Sequence, residues 1–117
     1  STLWQFIRWR KNQRFNPSSL AVPTWEAYRK AGIRRMFRSF RQQITDGIET
    51  KARSIAAPVL IVRGEHDPVA SQVWCEGIAR RCPRGRLVVI PGVAHTLCYT
   101  APAELAAVTR EFVREPA

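Results

Sequence analysis

The chain has 117 residues, of which 45% are hydrophobic and 24% are charged, and its formal net charge is +10. This length suits one domain, and the apolar content excludes a disordered chain. The longest uninterrupted apolar run, AAPVLIV at residues 56–62, is too short to cross a bilayer, and no charged-then-apolar leader with a cleavage site is present.

The first 53 residues are strongly basic and are predicted to be mainly helical. They contain 12 Lys/Arg and 3 Asp/Glu, a net of +9, whereas residues 54–117 contain 7 and 6, a net of +1. TLWQFIRWRKN, residues 2–12, has apolar residues at helical spacing and predicts a short helix. The prolines of RFNPSSLAVPT, residues 14–24, predict a connector that ends at Thr24, the expected N-cap of the next helix.

The strongest amphipathic pattern of this half follows Gly32. Apolar side chains recur at the i, i+3, i+4, i+7 and i+11 positions of a helix, and arginines lie mainly off that stripe. The apolar positions are Ile33, Met36, Phe37, Phe40 and Ile44, and the arginines are Arg34, Arg35, Arg38 and Arg41. We expect the apolar stripe to be core.

The second half alternates between strand and helix patterns. APVLIVRG, residues 57–64, and RLVVIPG, residues 86–92, are continuous apolar runs that end at glycine, as is typical of strands buried on both faces. Between them, EHDPVA predicts a turn, and SQVWCEGIARRC predicts a helix whose face includes Cys75, Ile78, Ala79 and Cys82. VAHTLCY predicts a loop, and Thr100 is the expected cap of a final helix with Pro102 in its first turn.

This order predicts an α/β fold in which two residues approach one another. A strand–helix–strand unit of this length implies parallel strands joined by a right-handed crossover. The loops that hold Asp67 and His95 then leave the same carboxyl edge of the sheet, where sites of open α/β sheets are found. An Asp carboxylate that accepts from one imidazole nitrogen fixes the tautomer, and the other nitrogen can take a proton from a nucleophile.

These motifs resemble the C-terminal part of an α/β-hydrolase fold enzyme. Gly64-Glu65-His66-Asp67-Pro68-Val69 is similar to the family's Gly-x-x-Asp element, and Pro91-Gly92-Val93-Ala94-His95 is similar to its Gly-x-x-His element. The resemblance covers residues 53–114. It implies a partial α/β-hydrolase fold with two parallel strands and flanking helices at residues 54–117, preceded by a helical cap or lid at residues 1–53.

The resemblance also implies roles for particular residues. Asp67 would be the triad acid and His95 the triad base, with Val69, Phe37 and Phe40 lining the site of a small-molecule substrate. His66 and Glu65 are weaker candidates for base and acid. The family's nucleophile sits in Gly-x-Ser-x-Gly, which this sequence lacks, so the chain is expected to be a portion of a longer hydrolase and inactive by itself.

The remaining features favour a reducing compartment, and we expect a cytoplasmic protein. The three cysteines are an odd number without a CxxC motif, and their spacing to the two histidines does not suit a zinc site, so no metal or cofactor is expected. Two alternatives to a hydrolase stay open: a basic module that binds nucleic acid or another polyanion, and an inactive remnant. Nucleic acid is the less favoured partner, because the basic stretch has no helix-turn-helix spacing; self-association through an exposed strand edge is a further expectation.

Overall fold

The computed structural model describes residues 21–115 and the isolated positions 4, 7, 8, 10, 11 and 14. Side chains at positions 21–24, 40, 43 and 44 are outside this description. The elements in chain order are α1 (Ala21–Ala31), α2 (Ile33–Thr45), α3 (Ile48–Lys51), a 3₁₀ turn (Ala52–Ser54), β1 (Val59–Gly64), α4 (Gln72–Arg81), β2 (Gly85–Ile90), α5 (Leu97–Thr100) and α6 (Pro102–Arg114).

The two strands form a parallel pair, as the strand–helix–strand pattern predicts. Their register runs from Val59 opposite Gly85 to Gly64 opposite Ile90, so both chains leave the sheet at the same edge. Helix α4 makes the crossover between them. It begins after Ser71, whose hydroxyl oxygen accepts a hydrogen bond from the backbone N–H of Trp74 at 3.3 Å, an N-cap that satisfies one otherwise unpaired donor.

Helices cover both faces of this pair and form two apolar clusters. On one face, α4 and the 3₁₀ turn pack against alternate residues of β1, and α5 and α6 cover the other face. The first cluster contains Ala52, Ile78 and Cys82 with Val59 and Ile61; the second contains Ile90, Leu97 and Ala101 with Val62, Val93 and Leu105. The predicted face of α4 is confirmed, because Cys75, Ile78 and Cys82 are buried and Ala79 is partly buried.

The strands are less buried than their sequence pattern predicts. Residues 59–62 of β1 are only partly buried, and Val89 of β2 is 37% exposed. In the described part of the chain the sheet has two strands, so each strand has an unpaired edge. The helices on the two faces cover the apolar side chains of the strands only in part. The prediction of strands buried on both faces is therefore wrong for this chain.

Three predicted boundaries also differ. Helix α1 begins at Ala21, not after Thr24, and Pro23 falls in its first turn, where a missing N–H is tolerated. The loop predicted at VAHTLCY contains the short helix α5. Thr100 ends α5, where its hydroxyl donates to the carbonyl oxygen of Thr96, and Ala101 holds the N-cap position of α6. Pro102 is in the first turn of α6, as predicted. The helix predicted at residues 2–12 lies outside the continuously described part.

Helices α1 and α2 are joined at Gly32, and their described side chains are exposed. Gly32 has φ +75°, a left-handed conformation that a residue with a Cβ adopts at a cost. The apolar stripe of α2 is not core in the described structure, because Ile33 and Phe37 stay 67% and 64% exposed. No described helix is both long and apolar enough to span a bilayer.

Candidate active site

The first half of the site is the turn that follows β1. Asp67 lies in this turn and is 7% exposed. Its Oδ1 accepts hydrogen bonds from the backbone N–H groups of Val69 at 2.7 Å and Ala70 at 3.1 Å, and its own N–H donates to the carbonyl of Gly64 at 3.1 Å. An Asp–Pro pair favours such a turn, because the carboxylate bonds to the backbone ahead of it and proline restricts the chain. Oδ1 is therefore engaged by the turn, and Oδ2 serves the second half of the site.

The second half is the loop between β2 and α5. Gly92 has φ +72°, and the turn it makes brings Val93 and Ala94 back toward β1. Backbone bonds tie the two loops together: Glu65 N–H donates to the carbonyl of Ile90, and His66 N–H donates to that of Val93, both at 2.9 Å. His95 follows directly and is thereby placed beside the Asp67 turn.

The Glu65 side chain and the absence of a side chain at Gly64 also hold the two loops close together. The Glu65 carboxylate accepts from the backbone N–H of Gly92 at 2.8 Å, across 27 positions of sequence. Gly64 has no Cβ, and one built there would lie 2.4 Å from the carbonyl oxygen of Ala94 and 2.5 Å from that of Val93. Only glycine lets the two loops approach this closely.

The two loops bring the predicted acid and base into contact. Nδ1 of His95 lies 2.8 Å from Oδ2 of Asp67. The Asp67 side chain is 4% exposed, whereas that of His95 is 46% exposed. An ionised carboxylate only accepts hydrogen bonds, so the Nδ1–H of His95 is the donor. The contact joins a buried carboxylate to an imidazole that reaches solvent.

The pair shifts the pKa of both members. Burial by itself would raise the pKa of Asp67, but hydrogen bonds from His95, Ala70 and Val69 outweigh it, and the pKa lies below its ordinary value of 3.8. The hydrogen bond to Asp67 raises the pKa of His95 above 6.5, against the opposing effect of partial burial. Asp67 is therefore ionised at neutral pH, and its carboxylate stabilises the charged form of His95.

The other sequence candidates differ in their relation to this pair. Val69 is half-buried and joins the site through its backbone N–H, whereas Phe37 is an exposed residue of α2. The side chain of Phe40 lies outside the described part. His66 is about half exposed, with Nε2 3.7 Å from the Glu65 carboxylate, and Glu65 bonds to Gly92 rather than to His95.

Arg63 also contacts this site, although no motif in the sequence indicated it. Arg63 is the penultimate residue of β1, is 8% exposed, and contacts the Asp67 turn. The feature that could have indicated it is a charged residue within the otherwise apolar sequence of β1. Within the described residues, no cluster of three or more His, Cys, Asp or Glu side chains could hold a metal ion.

The second half of the chain and the end of the first match a known protein family. Residues 36–116 match the model of the α/β-hydrolase family described as TAP-like protein. The matched segment covers about two thirds of the chain and contains β1, β2 and both loops of the site.

Proposed function

The chain belongs to the TAP-like family of α/β-hydrolases, and from that membership we propose that it supplies the acid and the base of a Ser-His-Asp triad. The proposed reaction is hydrolysis of an ester-type or related carbonyl bond in a small molecule. The observation that carries the proposal is the 2.8 Å contact between His95 Nδ1 and Asp67 Oδ2 at the carboxyl edge of the parallel strands.

In the proposed reaction, Asp67 orients His95 and stabilises its charged form. Because Nδ1–H is held by the carboxylate, Nε2 is the atom that transfers protons. It takes the proton from a serine hydroxyl as the oxygen attacks the carbonyl carbon. It then gives that proton to the leaving group, and the second half-reaction repeats the transfer with water. The buried carboxylate favours the imidazolium that forms in each half-reaction.

The serine of this proposal comes from outside residues 1–117, since the sequence has no Gly-x-Ser-x-Gly segment. Residues 1–53 serve as the cap, and Phe37, Phe40 and Val69 are its proposed substrate-lining residues. The exposed apolar side chains of α2 support this cap role, because the described residues leave them uncovered.

The test is turnover of an activated ester, p-nitrophenyl acetate, at pH 8. The chain is expressed together with the coding sequence upstream of residue 1 in its gene. We expect Asp67→Asn and His95→Ala to lower kcat about 10⁴-fold or more, as loss of a triad member does. His66→Ala is the matched control, since it removes a neighbouring exposed imidazole, and it should leave kcat unchanged. Residues 1–117 alone should show no turnover that depends on His95.

Two results would contradict the proposal. The first is an upstream sequence without a nucleophile. The second is turnover by the longer protein that His95→Ala leaves intact.

A polyanion-binding role is the second candidate, and the exposed arginines of α2 favour it. Arg34, Arg35, Arg38 and Arg41 are all solvent-exposed on one helix. Such binding releases counterions from a polyanion, so retention on immobilised DNA should fall steeply between 50 and 200 mM salt. Elution that is independent of salt would remove this candidate.

A further inference from the structure

Arg63 is a buried charge whose contacts are neutral oxygens. It lies next to the end of β1, on the face that α4 covers, and is 8% exposed. Burial of a guanidinium is costly unless hydrogen bonds replace the lost water. The partners of Arg63 are three main-chain carbonyls and one side-chain amide. Hydrogen bonds to these groups offset the cost of burying the guanidinium.

Those groups span the turn that carries the triad acid. Nε of Arg63 donates to the carbonyl of Ala70 at 2.8 Å, Nη1 to that of Glu65 at 3.0 Å, and Nη2 to that of Asp67 at 2.8 Å. Nη1 also reaches Oε1 of Gln72 in the first turn of α4, at 3.3 Å. One planar fork therefore contacts the beginning, middle and end of the segment 65–70.

Hydrogen bonds within the turn add to those from Arg63. The backbone N–H groups of Val69 and Ala70 bind Oδ1 of Asp67, and Arg63 binds carbonyls of the same turn. The Asp67 main-chain carbonyl is thus held by Arg63 of the strand, and the Asp67 carboxylate is held by N–H groups of the turn. With Oδ1 engaged, the turn presents Oδ2 to His95.

We propose that Arg63 is a positioning residue, whose guanidinium holds the 65–70 turn in the conformation that directs the Asp67 carboxylate at His95. The inference rests on the proposed function, because it assigns Arg63 a task in that reaction. The hydrogen bonds of the Arg63 guanidinium go to the turn and to Gln72, and none of them goes to His95. Lysine is not equivalent, since one ammonium group cannot reach carbonyls at three places along the turn.

A purely electrostatic role would have the opposite signature. The charge of Arg63 is felt in α4, where it lowers the pKa of Cys75 against the stronger effect of burial. Acting as a charge alone, Arg63 would disfavour the protonated form of His95, and its removal would raise the pKa of that imidazole. As a positioning residue, it supports the contact that raises that pKa, and its removal would lower it. Further ionisable groups around the turn include Glu65, His66, Cys75 and Glu76, and the test leaves all four in place.

The experiment is an NMR titration of the His95 ring in the chain as it stands. The wild type is compared with Arg63→Met, which keeps the apolar stem, and with Arg63→Lys, which keeps the charge. Arg84→Met is the matched control, because the Arg84 guanidinium also binds a loop carbonyl, that of Ala56, at the opposite edge of the sheet.

We expect both Arg63 variants to move the pKa of His95 down toward the ordinary histidine value, and Arg84→Met to leave it in place. A rise in Arg63→Met with no change in Arg63→Lys would assign Arg63 a charge effect only and overturn the proposal. An unchanged pKa in both variants would overturn it as well.

Loss of folding in the variants does not remove the test. The side-chain signals of wild-type Arg63 then decide it: slow exchange of Nε–H and restricted rotation of the guanidinium support the proposal, and rapid exchange with free rotation overturns it. Neither readout uses turnover. An enzyme insensitive to His95→Ala would therefore contradict the proposed function while the titration still reported on Arg63.

Discussion

Addition of a single methyl group at Gly64 should disturb the site strongly. Gly64 is the last residue of β1, opposite Ile90. A Cβ at this position would lie 2.4 Å from the carbonyl oxygen of Ala94, 2.5 Å from that of Val93 and 2.8 Å from the Val93 carbonyl carbon. All three are backbone atoms of the loop that leads into His95, so no side-chain rotation can relieve the contact.

The cost of Gly64→Ala follows from the displacement it requires. Overpacking that forces backbone shifts costs about 1–3 kcal/mol. The Val93 carbonyl also accepts the N–H of His66 at 2.9 Å, and weakening that bond adds about 0.5–1.5 kcal/mol. The expected loss in the free energy of unfolding is thus about 1.5–4.5 kcal/mol, a large part of the roughly 5–15 kcal/mol typical of a domain.

Urea unfolding, followed by tryptophan fluorescence at low micromolar concentration, measures this loss. The same movement separates the two loops, so the pKa of His95, measured by NMR, should fall toward the ordinary histidine value. Two glycines provide matched controls. At Gly47 a Cβ would meet only Thr50 Oγ1, at 3.9 Å, so Gly47→Ala should change stability by less than about 0.5 kcal/mol. At Gly85 a Cβ would lie 2.1 Å from the Ala79 carbonyl, at the other end of the sheet.

Gly85→Ala should therefore destabilise the chain as strongly as Gly64→Ala and leave the pKa of His95 in place. The steric conflict at Gly64 is refuted if Gly64→Ala is as stable as Gly47→Ala. Its effect on the site is refuted if Gly64→Ala loses stability while the pKa of His95 is unchanged.

Two further predictions concern pH and association. The folded pKa of His95 is raised above 6.5, so the stabilisation that its charged form provides is complete below pH 6.5 and is lost as pH rises through the folded value. The difference in the free energy of unfolding between wild type and His95→Gln, measured by urea unfolding, should therefore shrink from pH 6 to pH 9. A difference that is independent of pH over this range would contradict the assignment for His95. The lowered pKa of Asp67 has the opposite sign: its stabilisation is present above pH 3.8 and is lost as pH falls through the folded value, so the stability difference between wild type and Asp67→Asn should shrink below pH 3.8. We also propose that copies of the chain associate through residues 58–64, because β1 has a single strand neighbour, β2, within the described residues. Light scattering should show a mass above that of one chain, and a monomer with uniform amide protection over 58–64 would contradict this proposal.

Local pattern and general topology were enough to predict the frame of the site. Continuous apolar runs ending at glycine located β1 and β2, and helical spacing located α4. Because a crossover of this length makes the strands parallel, the residues after them had to leave the same edge. The proximity of Asp67 and His95 follows from order along the chain, which is why the sequence alone predicted it.

The folded structure decided which partners each side chain meets, both within a turn and between segments distant in sequence. Arg63 in an apolar run gave no indication that its donors reach Glu65, Asp67 and Ala70, and the need for glycine at position 64 depends on a loop about 30 residues further along. The exposure of the strands and of the α2 stripe was mispredicted for the same reason. Periodicity reports which face of an element is apolar, whereas burial and hydrogen-bond partners depend on what the folded chain places against that face.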